Sequence, residues 1–117
     1  MSNFLLILHE NPSEFTNHTP EEFQGMFTDY MAWSQKIKAE GIYVGGNKLK
    51  DEGGKSMVKN GSGLRVTDGP FIEAKEVIGG YYLIDAADYD TAVKISEGCP
   101  HLKYGGRIEV REIQQMG

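Results

Sequence analysis

The sequence predicts a single α+β domain, and three observations carry that expectation. Strand-length apolar runs open the chain and recur at 77–84 and 108–113. Two helical patterns separate them, one at 20–40 and one after Asp88. A turn-rich Asn60-Gly61-Ser62-Gly63 joins two short strand-like segments, which is a hairpin signal. The 117 residues match one domain in size, so 1–117 is read as one unit.

Residues 4–8 form a continuous apolar run before the Asn11-Pro12 turn signal. Continuity rather than alternation predicts a strand covered on both faces. The helix at 20–40 begins with a capping box: Thr19 at the N-cap, Pro20 at N1 and Glu22 at N3. Phe23, Met26, Phe27, Tyr30, Met31, Trp33 and Ile37 recur at three- and four-residue spacing and are expected to face a core. Gly41 fits the C′ position that ends the helix. Ile42-Tyr43-Val44 reads as a short strand entering Gly45-Gly46, and 48–54 as a polar loop. The hairpin strands are 56–59 and 64–67, stopped by Asp68-Gly69-Pro70, with 71–76 an ordered loop. In 77–84 both alternating sets are apolar or small, so both faces are expected to be buried. Asp85 or Asp88 caps a second helix carrying Tyr89, Ala92, Val93 and Ile95, ended by Gly98 and Pro100. The last strand, 108–113, turns Ile108 and Val110 inward and Glu109 and Arg111 outward, as at a sheet edge.

The resulting order, β-α-β-hairpin-β-α-β, is that of a ferredoxin-like plait, βαββαβ with an inserted hairpin. Two helices cover only one face of such a sheet. Because 4–8 and 77–84 are apolar on both faces, a second copy of the same sheet is expected to cover the other, giving a homodimer with a shared core.

Composition narrows the function. Twelve Lys and Arg stand against 17 Asp and Glu, a net charge of −5, and no segment concentrates cations. Neither a nucleic-acid groove nor a membrane-binding patch is expected. The single cysteine, Cys99, leaves no intrachain disulfide and no multi-cysteine zinc site. The opening MSNFLLILHEN lacks a basic n-region, and its apolar run is too short for a signal peptide or a span, which predicts a cytoplasmic location.

Several motifs tempt and then fail on context. Gly53-Gly54-Lys55-Ser56 resembles the end of a phosphate-binding loop, but Leu49 stands where the pattern needs glycine and the segment leads into a hairpin. The sequons at Asn17 and Asn60 read as a helix cap and a turn. His9, His18 and His101 show no metal-ligand spacing, and no metal or cofactor is expected. His9 and His101 are the better functional candidates, because each lies at a strand end where a pocket rim can form and imidazole titrates near neutrality. Asp68 is a turn residue that can also serve as an acid or base. Cys99 reads as a small buried hydrophobe rather than a nucleophile. Tyr30, Trp33, Tyr81 and Tyr82 read as mainly core, with one or two able to line a cavity.

One stretch carries a resemblance. Asp68-Gly69-Pro70-Phe71-Ile72-Glu73-Ala74-Lys75-Glu76, followed by Gly79-Gly80-Tyr81-Tyr82-Leu83-Ile84-Asp85, resembles the DGPF subgroup of the YCII-related family, whose signature reads approximately DGPFAETKE then GGFYLID. The chain departs from it at Ile72, Ala74 and Tyr81. The opening strand, Gly45-Gly46 and 104–111 match in kind and order. The resemblance implies a ferredoxin-like fold pairing into a dimeric α+β barrel. It also implies a pocket edge at Asp68, Phe71, Glu73, Lys75 and Glu76, whose charges could equally fasten the loop by ion pairing. The wider family carries a proposed His–Asp pair with its histidine early in the first helix. Residues 20–24 hold no histidine here, so that pair does not carry over.

Two functional readings follow. One is a small cofactor-free enzyme acting by acid/base chemistry on a small aromatic or carbonyl molecule. In it Asp68, His101 or His9 moves a proton, and Tyr82 or Trp33 packs against the ring. The other is a non-catalytic module that binds a metabolite or a protein, as relatives linked to sigma-factor signalling suggest.

Overall fold

The structure, a computed structural model, describes residues 1–12, 18–69 and 76–116. It is α+β. In chain order the elements are β1 (Ser2–Glu10), α1 (Pro20–Ala39), β2 (Tyr43–Lys48), β3 (Lys55–Asn60), β4 (Gly63–Asp68), β5 (Val77–Ala86), α2 (Tyr89–Ser96), α3 (Pro100–Lys103) and β6 (Arg107–Glu112).

The termini of α1 follow from local chemistry. The Thr19 hydroxyl accepts from the Glu22 amide at 3.2 Å while the Glu22 carboxylate accepts from the Thr19 amide at 3.3 Å, completing the capping box. At the other end Gly41 takes φ +75°, which costs a residue with a Cβ far more. Its amide donates to the Lys38 carbonyl and that of Ile42 to Ile37, closing a Schellman motif. The second helix is capped by Asp88, whose carboxylate accepts from the Thr91 amide at 2.8 Å, rather than by Asp85.

A four-stranded antiparallel sheet runs in the order β2-β5-β1-β6. Phe4, Leu6 and Leu8 pair with Ile84, Tyr82 and Gly80 on one side and, for Leu6 and Leu8, with Val110 and Ile108 on the other. These residues define one face. Trp33 and Ile37 of α1 and Ala92 of α2 pack on it, in a core with Phe4, Leu6, Leu8, Ile84, Ala86 and Cys99. Both longer helices therefore cover the same face.

The other face carries Leu5, Ile7, Tyr81 and Leu83, all half-buried. The expectation that 77–84 is buried on both faces fails within this chain at Ile78, which is 48% exposed. The helix also departs from expectation. Met26, Trp33 and Ile37 are buried, but Phe23, Phe27 and Met31 are exposed, because their stripe is wider than the surface the sheet offers.

The strand 42–44 was expected to lead into Gly45-Gly46, with a polar loop from Lys48. Instead β2 runs through the glycine pair to Lys48, since Gly46 lets the strand approach Tyr81 more closely than a Cβ would permit. The hairpin forms its own two-stranded sheet, with Gly61 at φ +62° in a turn shorter than the four residues expected. The short helix α3 begins at Pro100, after Cys99 at the N-cap. It is held to α1 by Asp29, which accepts from Lys103 Nζ at 3.0 Å and from the Tyr104 hydroxyl.

Candidate functional site

Two of the three residues expected to move protons meet at the far end of β1. A β-bulge falls there: Leu8 pairs with Gly80 but His9 pairs with Ile78, leaving Gly79 as the extra residue on β5. Past the bulge the His9 side chain lies on the face that no helix covers among the described residues. Its Nε2–H donates to Glu109 Oε1 at 3.0 Å. Glu109 belongs to the same face, because it pairs with Ile7 across β1 and β6. The His9 side chain is 15% exposed and that of Glu109 34%.

Alternation on β6 puts Arg107, Glu109 and Arg111 in one row. Arg111 donates to the other Glu109 oxygen at 3.2 Å, and Arg107 grips Glu76 through Nε at 3.1 Å and Nη2 at 3.0 Å. The hydrogen bond from His9, then that from Arg111, holds the Glu109 carboxyl below the usual range. The Arg107 fork does the same for Glu76. Both acids are thus anionic at neutral pH. With Nε2 committed to Glu109, the Nδ1 lone pair of a neutral His9 is the basic nitrogen.

His101 lies behind this pair and is 2% exposed. Its Nε2–H donates to the His9 backbone carbonyl at 2.7 Å, and the Tyr30 hydroxyl donates to Nδ1 at 2.8 Å. Burial pushes the His101 pKa down, against the opposing pull of the His9 carbonyl. Burial likewise pushes the Tyr30 hydroxyl up, so Tyr30 stays protonated as a donor. Gly106 makes room for the ring, since a Cβ there would overlap the imidazole. Both ring nitrogens of His101 are therefore engaged inside the fold, and its geometry is that of a positioning residue for the His9 backbone.

The remaining expected site residues fall elsewhere. Asp68 ends β4 with its side chain 88% exposed and meets Lys55 Nζ at 2.6 Å rather than either histidine. Trp33 and Tyr82 sit on the helix-covered side, stacked edge to face at 5.0 Å, with Tyr82 bonded to Ser34 Oγ at 3.1 Å. They lie across the sheet from His9. Glu76 is brought to the site through Arg107. Phe71, Glu73 and Lys75 lie outside the described residues.

Burial pushes the Cys99 thiol up to about 11, which keeps it from acting as a thiolate. His18 bonds Glu22 four residues on at 3.0 Å, beside the helix cap. Among the described residues no three His, Cys, Asp or Glu side chains group to hold a metal, and no helix is long and apolar enough to cross a membrane.

Sequence reasoning missed the partners rather than the histidine. Glu109 was read only as an outward residue of an edge strand. The signal available was the charged i, i+2, i+4 row Arg107, Glu109 and Arg111, which an ordinary edge strand also carries.

Comparison with curated proteins found no match. The family profile described as the YCII-related domain matches residues 2–117, which takes in both sheets, the three helices and the His9–Glu109 pair. On that match the chain belongs to the YCII-related domain family.

Proposed function

We propose that the chain is a cofactor-free acid/base enzyme for a small aromatic or carbonyl molecule, with His9 as the proton carrier. It would act as a cytoplasmic homodimer of the DGPF subgroup. The observation that carries this reading is the 3.0 Å His9–Glu109 pair on the sheet face opposite α1 and α2. A substrate at the His9 end of that face, at the rim of the paired sheets, meets Ile7 and Tyr81 as an apolar wall. His9 Nδ1 removes its acidic proton, Glu109 supports the imidazolium, and Arg107 and Arg111 bring positive charge near an oxyanion.

The dimer is a ferredoxin-like plait closed into an α+β barrel, the open face of each sheet covering that of its partner. The strand order supports it. With the hairpin set aside, β2-β5-β1-β6 places the first and third sheet strands in the centre, as a plait requires. The half-buried apolar row on the open face supports the pairing of sheets. In this reading His101 positions the His9 backbone, and Phe71, Glu73 and Lys75 contribute to the rim.

The second reading, a non-catalytic metabolite- or protein-binding module, is favoured by Asp68. The aspartate that opens the motif is exposed and paired with Lys55, and it assembles no proton-transfer set.

A thermal-shift panel of catechol, 4-hydroxybenzaldehyde and related hydroxylated and halogenated aromatics separates the two. A compound at about 100 times its Kd adds about 2.7 kcal/mol. The enzyme reading expects a hit that His9→Gln abolishes and that the wild-type protein turns over. A hit indifferent to His9→Gln, or the absence of any hit together with capture of a specific protein partner, contradicts it.

A further inference from the structure

The β3–β4 hairpin carries an apolar side that no element among the described residues of its own subunit covers. Met57 pairs with Val66 and Lys59 with Leu64, so Met57, Leu64 and Val66 share one side, flanked by Lys55 and Lys59. Ser56, Val58, Arg65 and Thr67 lie on the other side, which is polar except for Val58. Met57 is 63% exposed, Leu64 61% and Val66 49%. Among the described residues no third strand joins the hairpin, and no other element packs closely on it. A lone two-stranded hairpin is marginal in water, and an exposed apolar side of this kind marks an interaction surface.

We infer that a second copy of this chain covers it: the hairpin is an arm that lies across the partner subunit. Charge favours this occupant. The arm carries Lys55, Lys59 and Arg65 against Asp68 alone, a net +2, whereas the whole chain is −5, leaving −7 on the remainder. A basic arm and an acidic body on the same chain are complementary when two copies meet, and a twofold axis makes the contact twice.

Area favours it too. The chain exposes 8296 Å², where a compact protein of 13.0 kDa exposes about 6,300 Å². The excess of about 2,000 Å² exceeds the roughly 800 Å² that each partner contributes to a standard interface. The radius of gyration, 16.2 Å against about 13 Å for a compact chain of this length, accords with a projecting element. The inference rests on the proposed dimer but concerns a different surface from the helix-free face of the four-stranded sheet.

The test is hydrogen–deuterium exchange of the full chain above and below its dimerisation midpoint, set beside sedimentation of the triple variant Met57→Ser, Leu64→Ser, Val66→Ser. None of these side chains belongs to the core, so the variant is expected to fold, which far-ultraviolet circular dichroism checks. The arm account expects amides of 55–68 to exchange at least about tenfold more slowly in the dimer, and the variant to associate at least about tenfold more weakly. A dimer in which arm exchange is independent of concentration and the variant associates normally overturns the arm while leaving the sheet-face dimer intact. Arm amides protected in a strictly monomeric chain overturn both. Retention of the dimer and of arm protection in Ile7→Arg supports the arm and removes the sheet-face contact.

Discussion

Phe4 and Leu5 are neighbours on β1, yet Phe4 is fully buried beneath the helices while Leu5 is only half-covered. The same contrast separates His101 from His9. On the covered side, polar groups are satisfied from within the fold: His101 between Tyr30 and the His9 carbonyl, Tyr82 on Ser34. On the opposite side the polar groups pair with one another near the surface, as in His9 with Glu109 and Arg107 with Glu76. One sheet thus buries its polar groups within the fold on one face and pairs them nearer the surface on the other. The more deeply buried histidine is the less available for chemistry.

The contrast between the faces has measurable consequences, the largest in the core. Phe4→Ala is expected to cost about 3–5 kcal/mol in urea denaturation, the usual cost of emptying a buried phenylalanine site. Leu5→Ala, measured where the chain is dilute, is expected to cost about 1 kcal/mol or less. Equal costs would mean that the second face is packed within the single chain.

Next in size, His101→Leu strips the Tyr30 hydroxyl and the His9 carbonyl of a shared partner, a loss of about 2–3 kcal/mol. It also changes the pH dependence. His101 binds its proton less readily folded than unfolded, so between its lowered folded pKa and the ordinary histidine value near 6.5 the unfolded chain binds more protons. Wild-type stability is therefore full above about pH 6.5 and falls as pH drops through that window. His101→Leu removes that contribution, and a pH series of melting curves on both proteins checks it.

Thr19→Ala is smaller, about 1 kcal/mol for a lost cap, and should leave the site untouched. Smallest in stability is Glu109→Gln, whose melting temperature should stay close to that of the wild type because the pair is at the surface. Its effect is expected instead in 15N spectra of His9, where loss of the carboxylate lets the proton redistribute from Nε2 to Nδ1. An unchanged tautomer would show that Glu109 does not set it.

How far the sequence reveals this arrangement depends on the range of each interaction. The start and end of α1 are legible because Thr19, Glu22 and Gly41 act within one turn of the chain. The hairpin is legible through Gly61. The helix α3 is not: four residues carry no period, Cys99 supplies no side-chain cap, and the contact that fixes it comes from Asp29 on a distant helix. Phe23, Phe27 and Met31 show the helical spacing correctly but not where the single-chain core ends. At the site, His9 is legible as a strand end. Its partner Glu109 is not, because the pairing of β1 with β6 and the bulge at Leu8 decide which residues 100 positions apart come within hydrogen-bond distance.

The central claim is that the helix-free face is the working face and that a second copy closes it. Sedimentation velocity of the wild-type chain beside Ile7→Arg, over micromolar to millimolar concentrations, addresses it directly. The account predicts a wild-type particle of twice the chain mass and a folded, monomeric Ile7→Arg, since a cation on that apolar row cannot be buried without a partner. A wild-type chain that remains monomeric throughout, or an Ile7→Arg dimer as tight as the wild type, would contradict it.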